Sequence, residues 1–322
     1  MRRRDFLPLA AAAITWSPAS AEIPAARIGF IHSGARQENQ AFLDAFREGL
    51  ALHGWVAGSN VAILDRWAED RTERLPGIIT EVMSNGVAVL VTAGTAATLA
   101  AKHRSATTPI VFVGVDDPIA IGVAESLGRP GGNVTGLALT SSELIANRLQ
   151  LLREIVPTLH RLSVVVRDDP GLEQKLREIY RLAEHMGIVA LMLEATTSSA
   201  LEFSFTRLRG EHCEAVYVAS GPLGPAKRLT IVSLAAEAKL PTIYSFRVFP
   251  IDGGLISLGA NYRDLFRRAA GYVDMILEGA APGDLPIEQP RSVELVVNIA
   301  TAKRLGLTFP PSILARADQV IE

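Results

Sequence analysis

Residues 126–136 read "SLGRPGGNVTG". An ordinary loop needs one or two turn residues, whereas Arg129-Pro130-Gly131-Gly132 stops a helical run, frees the backbone and is followed at once by the β-branched start Asn133-Val134-Thr135. Punctuation this heavy predicts a junction between two larger bodies, and the periodicity on either side agrees. Before it, short apolar runs at 27–31, 61–64, 87–91 and 110–113 alternate with amphipathic segments. One of these places Phe42, Phe46 and Leu50 on a single helical face, and another is a helix expected from Pro118. "VAVLV" at 87–91 is apolar throughout, as a parallel strand covered on both faces must be. After the junction a fresh series begins with a helix around 143–156, then strands at 162–166, 188–193, 214–218 and 241–244, with a helix from Pro170.

Strand alternating with helix in two series predicts an α/β chain with two doubly wound, Rossmann-like lobes. Two further irregular stretches, "FPIDGG" at 249–254 and "GAAPGDLPIEQP" at 279–290, supply the remaining passages between the lobes. Three crossings make a hinged clamshell, with 25–138 plus 252–281 as the first lobe and 139–251 plus 282–322 as the second. Residues 129–136 approach and enter the first crossing.

Composition narrows the function. The chain has 322 residues, 48% of them hydrophobic, enough to core two domains. Its 32 basic and 34 acidic residues give a net charge of -2 with no long run of one sign, so a nucleic-acid partner is not expected. Cys213 is the single cysteine and can form no internal disulfide. Residues 1–21 read as a cleavable export signal. Arg2-Arg3-Arg4 precedes an apolar stretch from Leu7 to Trp16 and the small-residue end Ala19-Ser20-Ala21. The order Arg3-Arg4-x-Phe6-Leu7 resembles a twin-arginine signal, and the stretch falls short of the roughly 20 apolar residues a bilayer span needs. The expected product is a periplasmic monomer with no membrane span once the signal is removed.

No catalytic constellation is visible. Neither "VTAGT" nor "VASGPLG" has the spacing of a nucleophile elbow, the six histidines form no HExxH, and no GxxxxGK[ST] loop is present. No metal or cofactor is therefore expected, and a binding protein is favoured over an enzyme. In open α/β sheets ligands bind beyond the carboxyl ends of the strands. That rule nominates Ser33 after the first strand; Thr92, Gly94 and Thr95 after the third; and Asp116 and Asp117 after the fourth. In the second lobe it nominates Asp168, Ser220, Gly221, Tyr244, Phe246 and, on the return strand, Asn261. Thr92, Gly94 and Thr95 suit a carboxylate, with Thr95 capping the next helix. Asp117 suits an amine, although either aspartate could cap the following helix while the other binds. Tyr244 and Asn261 would complete the pocket from the other side.

Three long stretches carry a family likeness. They are "GVDDPIAIGVAESLGRPGGNVTGLALTSSELIANRLQLLREIVP" (114–157), "GGLISLGANYRDLFRRAAGYVDMILEGAAPGDLPIEQP" (253–290) and "VELVVNIATAKRLGLTFPPSILARADQVIE" (293–322). Together they resemble the ABC-transporter substrate-binding proteins that include the tryptophan and tyrosine binders. The resemblance implies a type I periplasmic-binding-protein fold. A small ligand in the interlobe cleft would be delivered to a membrane permease driven by an ATPase. The chain departs from the family pattern at Ser257-Leu258-Gly259, at Ala219-Ser220-Gly221-Pro222 and at Arg167-Asp168, on the second-lobe edge of the cleft, so an aromatic ligand does not carry over with the family. The alternative on the same fold is a sensing module for a membrane-bound receptor.

Overall fold

The structure, a computed structural model, describes residues 26–139, 141–166, 171–194, 198–219, 225–291 and 293–322. The first lobe is built from β1 (Ala26–His32), α1 (Arg36–Leu52), β2 (Val61–Trp67), α2 (Leu75–Ser84), β3 (Val89–Ala93), α3 (Thr95–Arg104), β4 (Ile110–Val115) and β5 (Val134–Ala138). The second follows with α4 (Ser142–Ile155), β6 (Arg161–Val166), α5 (Leu172–His185), β7 (Val189–Glu194), α6 (Ser198–Gly210), β8 (Ala215–Val218), α7 (Pro225–Ala238), β9 (Thr242–Tyr244), α8 (Val248–Ile251) and β10 (Ile256–Ala260). The chain then forms α9 (Tyr262–Leu277), β11 (Val293–Asn298), α10 (Ile299–Arg304), α11 (Pro311–Leu314) and β12 (Gln319–Ile321).

The first sheet runs β2-β1-β3-β4-β5, all parallel. In the second, β7-β6-β8-β9-β10 repeats the same order, extended by β11, antiparallel to β10, and by β12. This doubly wound order is that of a type I periplasmic-binding fold, and in each sheet its reversal lies beside the first strand of the series.

Both faces of each sheet are covered. On the first, Phe30, Phe46 and Val91 pack with Phe266 and Val273 of α9 on one side, while Ile31, Ile79 and Leu90 pack with Phe112 on the other. Side chains such as Phe46, fully buried, each contribute about 1.5–3 kcal/mol relative to exposure. Helix α1 presents Phe46 and Leu50 inward as the spacing predicts, and "VLVTA" of β3 is buried at every position, two residues further along than the run at 87–91 suggested.

The glycine-rich junction has a different purpose from the one expected. Residues 134–138 are the fifth strand of the first sheet, and the chain passes to α4 only after that strand has ended. Gly131 and Gly132, with φ of +72° and +59°, let the segment 282–284 lie against them. The Gly131 N–H donates to the Gly283 carbonyl at 3.1 Å, and a Cβ on Gly283 would sit 2.7 Å from the Gly132 carbonyl oxygen. Only bare backbone permits that approach.

The lobe boundaries move for a similar reason. The stretch 249–254 is not a crossing: it forms α8 and a turn, and β10 behind it pairs with β9 and β11 in the second sheet. The second crossing is Asn261, from which α9 returns to cover the first sheet. Residues 285–288 then run along β5, bonding through Glu288 to Gly136 and Ala138, so the segment from 282 begins in the first lobe and the third crossing falls at 289–291. Among the described residues, no helix is long and apolar enough to cross a membrane.

Candidate functional site

A cavity of about 200 Å³ lies between the lobes. Thr95, Asp116 and Asp117 border it from the first lobe, Ser141, Ile145 and Lys175 from the second, and Gln289 at the third crossing. The first-lobe residues stand just past the ends of β3 and β4, where the strand-end rule places a ligand.

The two aspartates are held differently: Asp117, the residue expected to meet an amine, closes a local turn, and Asp116 meets the other lobe. Asp117 Oδ1 accepts from the Ile119 and Ala120 N–H groups at 3.1 and 2.9 Å. The turn it closes does not continue: the helix expected from Pro118 is a series of turns, with Lys102 Nζ bonding the Gly122 and Val123 carbonyls at its end. Asp116 instead reaches across the cleft, its Oδ2 2.6 Å from Lys175 Nζ in the second turn of α5. The two side chains are only 17% and 9% exposed. Above Asp116 stands Tyr262, whose hydroxyl lies so close to Gly114 that a Cβ there would be 2.9 Å from it. Burial, and secondarily the Asp116 carboxylate, pushes that hydroxyl above the ordinary tyrosine range and keeps its proton on.

The β3 end is organised by Gly94 rather than by Thr95. Gly94, at φ +85°, occupies the N-cap of α3 and makes no side-chain cap, and Thr95 is the first helical residue, not the cap. Thr92 does not reach the cleft: it is fully buried with its Oγ1 2.9 Å from that of Thr98, because it lies inside the strand on the face that α3 covers. Ser33, half-buried, donates to the Ala93 carbonyl at 3.2 Å and ties the ends of β1 and β3 together.

On the second-lobe side, Asp168, Ser220 and Gly221 lie outside the described residues. Tyr244 is core, fully buried with its ring stacked on Phe249 at 4.4 Å, and burial raises its hydroxyl well above the usual range. Phe246 does not share a strand face with Tyr244, since β9 ends at Tyr244 and the chain bends before Phe246. Phe246 instead meets Tyr262 edge-on at 5.6 Å, joining the hydrophobic clusters of both lobes. Asn261 is a hinge residue: its Oδ1 caps α9 by accepting from Asp264 N–H, and its Nδ2 donates to Glu294 at 2.6 Å.

Sequence reasoning did not find Lys175, Tyr262 or Arg148. Arg148 is 1% exposed and ties α4 to the sheet, donating to the Leu258 carbonyl at 2.7 Å and the Tyr217 hydroxyl at 2.8 Å. Tyr262 had a usable signal, since it opens a helix directly after a strand end, but nothing local marks Lys175 or Arg148. His32, which ends β1, is enclosed by Phe42, Trp67 and Phe266, with ring centroids 6.2, 5.1 and 6.4 Å away. Its Nδ1 accepts from Gly34 N–H, and burial pushes its pKa down to about 4. The ring is neutral at pH 7.

A two-lobed, doubly wound chain with a charged cavity between the lobes has the architecture of the type I periplasmic-binding fold. Residues 30–321 match the family described as ABC transporter substrate binding protein, and the chain belongs to that family. It is similar to the tyrosine-binding protein of Clostridioides difficile (strain R20291), 24% identical over 86% of this chain and 78% of that protein. Among solved structures it resembles a conserved domain protein from Vibrio cholerae, with a TM-score of 0.84, 26% identity and coverage of 92% of this chain and 99% of that one. A streptococcal ABC domain in complex with L-Trp has the same fold, with a TM-score of 0.84 at 22% identity over 92% of this chain and 99% of that one.

Proposed function

We propose that the protein is the solute receptor of an ABC importer, capturing a small carboxylate-bearing ligand such as an amino acid between its lobes and handing it to a membrane permease. The observation that carries this reading is the interlobe cavity with Asp116 from one lobe and Lys175 from the other. Groups of both signs on facing walls suit a solute that carries both. The similar proteins point to the same class, since one is named for tyrosine and the fold of another holds L-Trp.

In this reading Thr95 and the start of α3 contribute to the carboxylate side. Residues 1–21, which lie outside the described residues, direct export to the periplasm through a cleavable signal with twin-arginine character, and a monomer is the working form.

A thermal-shift screen of the purified protein against amino acids, short carboxylates, nucleosides and sugars tests the proposal. A ligand at 100 times its dissociation constant stabilises the folded state by about 2.7 kcal/mol, which is visible as a rise in melting temperature. Hits confined to amino acids or related carboxylates support it. Hits confined to uncharged solutes refute the carboxylate assignment, and no hit in any class counts against solute capture.

A further inference from the structure

We propose, resting on the solute-receptor reading, that Ile121 and Gly171 form the closing stop of the clamshell. The bare backbone at 171 receives the Ile121 methyl group, and that contact sets how near the lobes come when the cleft is shut.

Gly171 opens α5 in a way that other helices of the chain do not share. Helices α4, α9 and α10 start on Ser141, Asn261 and Asn298, each of whose side chains accepts an N–H bond from the first turn. Helix α5 forgoes that bond, worth about 1 kcal/mol, and starts on a glycine in the left-handed region at φ +88°. Glycine adopts that backbone freely, which explains part of the choice. Space explains the rest. A Cβ at 171 would stand 2.9 Å from Ile121 Cγ2 of the first lobe, closer than real Cβ atoms approach a neighbour. Among the described residues, nothing else outside its own stretch of chain lies within 4 Å of that position. One residue of the opposite lobe is therefore the obstacle.

Both sides of the contact are firmly held. Residues 117–124 form a knuckle, closed by the Ile119 and Ala120 N–H groups on Asp117 Oδ1, by the Val123 and Ala124 N–H groups on the Pro118 carbonyl, and by Lys102 Nζ on the Gly122 and Val123 carbonyls. Ile121 packs against the first-lobe cluster that contains Val115 and Val123, so turning its side chain aside gives up that packing. The Gly171 carbonyl accepts from Lys175 N–H at 3.1 Å, and Leu176 and Ile179 bury α5 in the second-lobe core. Two such bodies stop at carbon–carbon contact, about 3.5–4.0 Å, so a Cβ at 171 would push them apart by about 0.6–1 Å. Asp116 and Lys175 flank the same contact, one shortly before Ile121 and the other one turn after Gly171. Their 2.6 Å approach would lengthen to about 3.2–3.6 Å, at or beyond the limit of a direct hydrogen bond. Ile121 and Gly171 both border the interlobe cavity, so the stop also fixes its width. It is a positioning contact, which sets the spacing of the two walls without carrying a charge of its own.

The test is a distance measurement by double electron–electron resonance on the full chain. Spin labels go on Leu52→Cys and Phe203→Cys, exposed positions of the first and second lobes, with Cys213→Ala to leave no other thiol. Spectra are taken without additive and with the protein amino acids as probes. The labelled parent is expected to populate a closed distance. Gly171→Asn keeps a residue that tolerates the left-handed backbone but adds the Cβ, and it should lower the closed-to-open ratio about tenfold, equivalent to about 1.4 kcal/mol. Adding Ile121→Ala, which removes the opposing methyl group, should restore the ratio. Gly171→Ala serves where the Asn variant does not fold. A Gly171 variant with the parent's distances, or a loss that Ile121→Ala does not restore, would overturn the proposal. A parent that never closes would overturn it too: calorimetric heat from any probe would then leave solute capture standing, and no heat would remove both.

Discussion

Replacing His32 with phenylalanine should change how the first lobe responds to acid. His32 closes β1 within a ring cluster, and burial brings its pKa from an ordinary 6.5 down to about 4. The unfolded chain therefore takes up this proton first. Stability from the neutral ring is fully present above pH 6.5 and drains away as the pH falls toward 4. At 1.36 kcal/mol for each tenfold difference in proton affinity, the full loss is about 3 kcal/mol, and roughly 2 kcal/mol of it falls between pH 7.5 and 5.0. Stopping at pH 5.0 keeps most carboxylates ionised in both states, and subtracting the variant's loss isolates the contribution of His32. Phenylalanine keeps the ring packing but gives up the acceptor for Gly34 N–H, a cost that does not depend on pH. The assay is urea unfolding followed by tryptophan fluorescence at the two pH values. Trp55 and Trp67, the tryptophans of the described residues, both belong to the first lobe, and Trp67 lies 5.1 Å from the His32 ring, so the signal reports that lobe. The wild type should lose about 2 kcal/mol more than the variant on acidification. Parallel losses would mean that His32 remains hydrated enough to titrate normally, and the account of the cluster would be wrong.

Other changes give sharper signs than sizes. Gly49→Ala puts a better helix former into α1, yet its Cβ would lie 2.2 Å from the Arg267 carbonyl of α9; the expected result is a lowered melting temperature from overpacking of about 1–3 kcal/mol, and a rise would refute the close helix contact. Asp117→Ala should cost about 1 kcal/mol in urea unfolding through the lost turn bonds while ligand affinity stays within about twofold; a tenfold loss of affinity would restore the amine role to Asp117. Asn261→Asp preserves the cap acceptor for α9 but sets a carboxylate against Glu294 in place of a 2.6 Å bond; it should lower the melting temperature more at pH 8 than at pH 4, where protonation relieves the repulsion, and equal losses at both would refute that assignment.

The parts of the molecule legible in the sequence are those with local causes. The spacing of Phe42, Phe46 and Leu50 sufficed for α1 because burial of that face is set within one helix, and the alternation of strand and helix sufficed for two doubly wound sheets. The lobe boundaries were less legible, since β10 is claimed for the second sheet by pairing with β11, a strand more than thirty residues further on that leaves no mark near 252. The cleft shows the same division more sharply. The strand-end rule pointed to residues around the interlobe cavity but not to which side chains turn into it, and the candidates that face elsewhere share one feature. Thr92 and Tyr244 lie within β3 and β9, where the pleat has already assigned them to covered faces, whereas Thr95, Asp116 and Phe246 lie past the last strand residue. A residue beyond a strand end is free of the pleat and can face the opposite lobe, but what it meets there is decided by closure. Lys175 lies in the opening of α5, four residues after the Gly171 cap, and nothing in that helix start says that the side chain meets Asp116 of the other lobe. Contacts between the lobes of a clamshell are therefore the last features a sequence discloses, because no single lobe contains both partners.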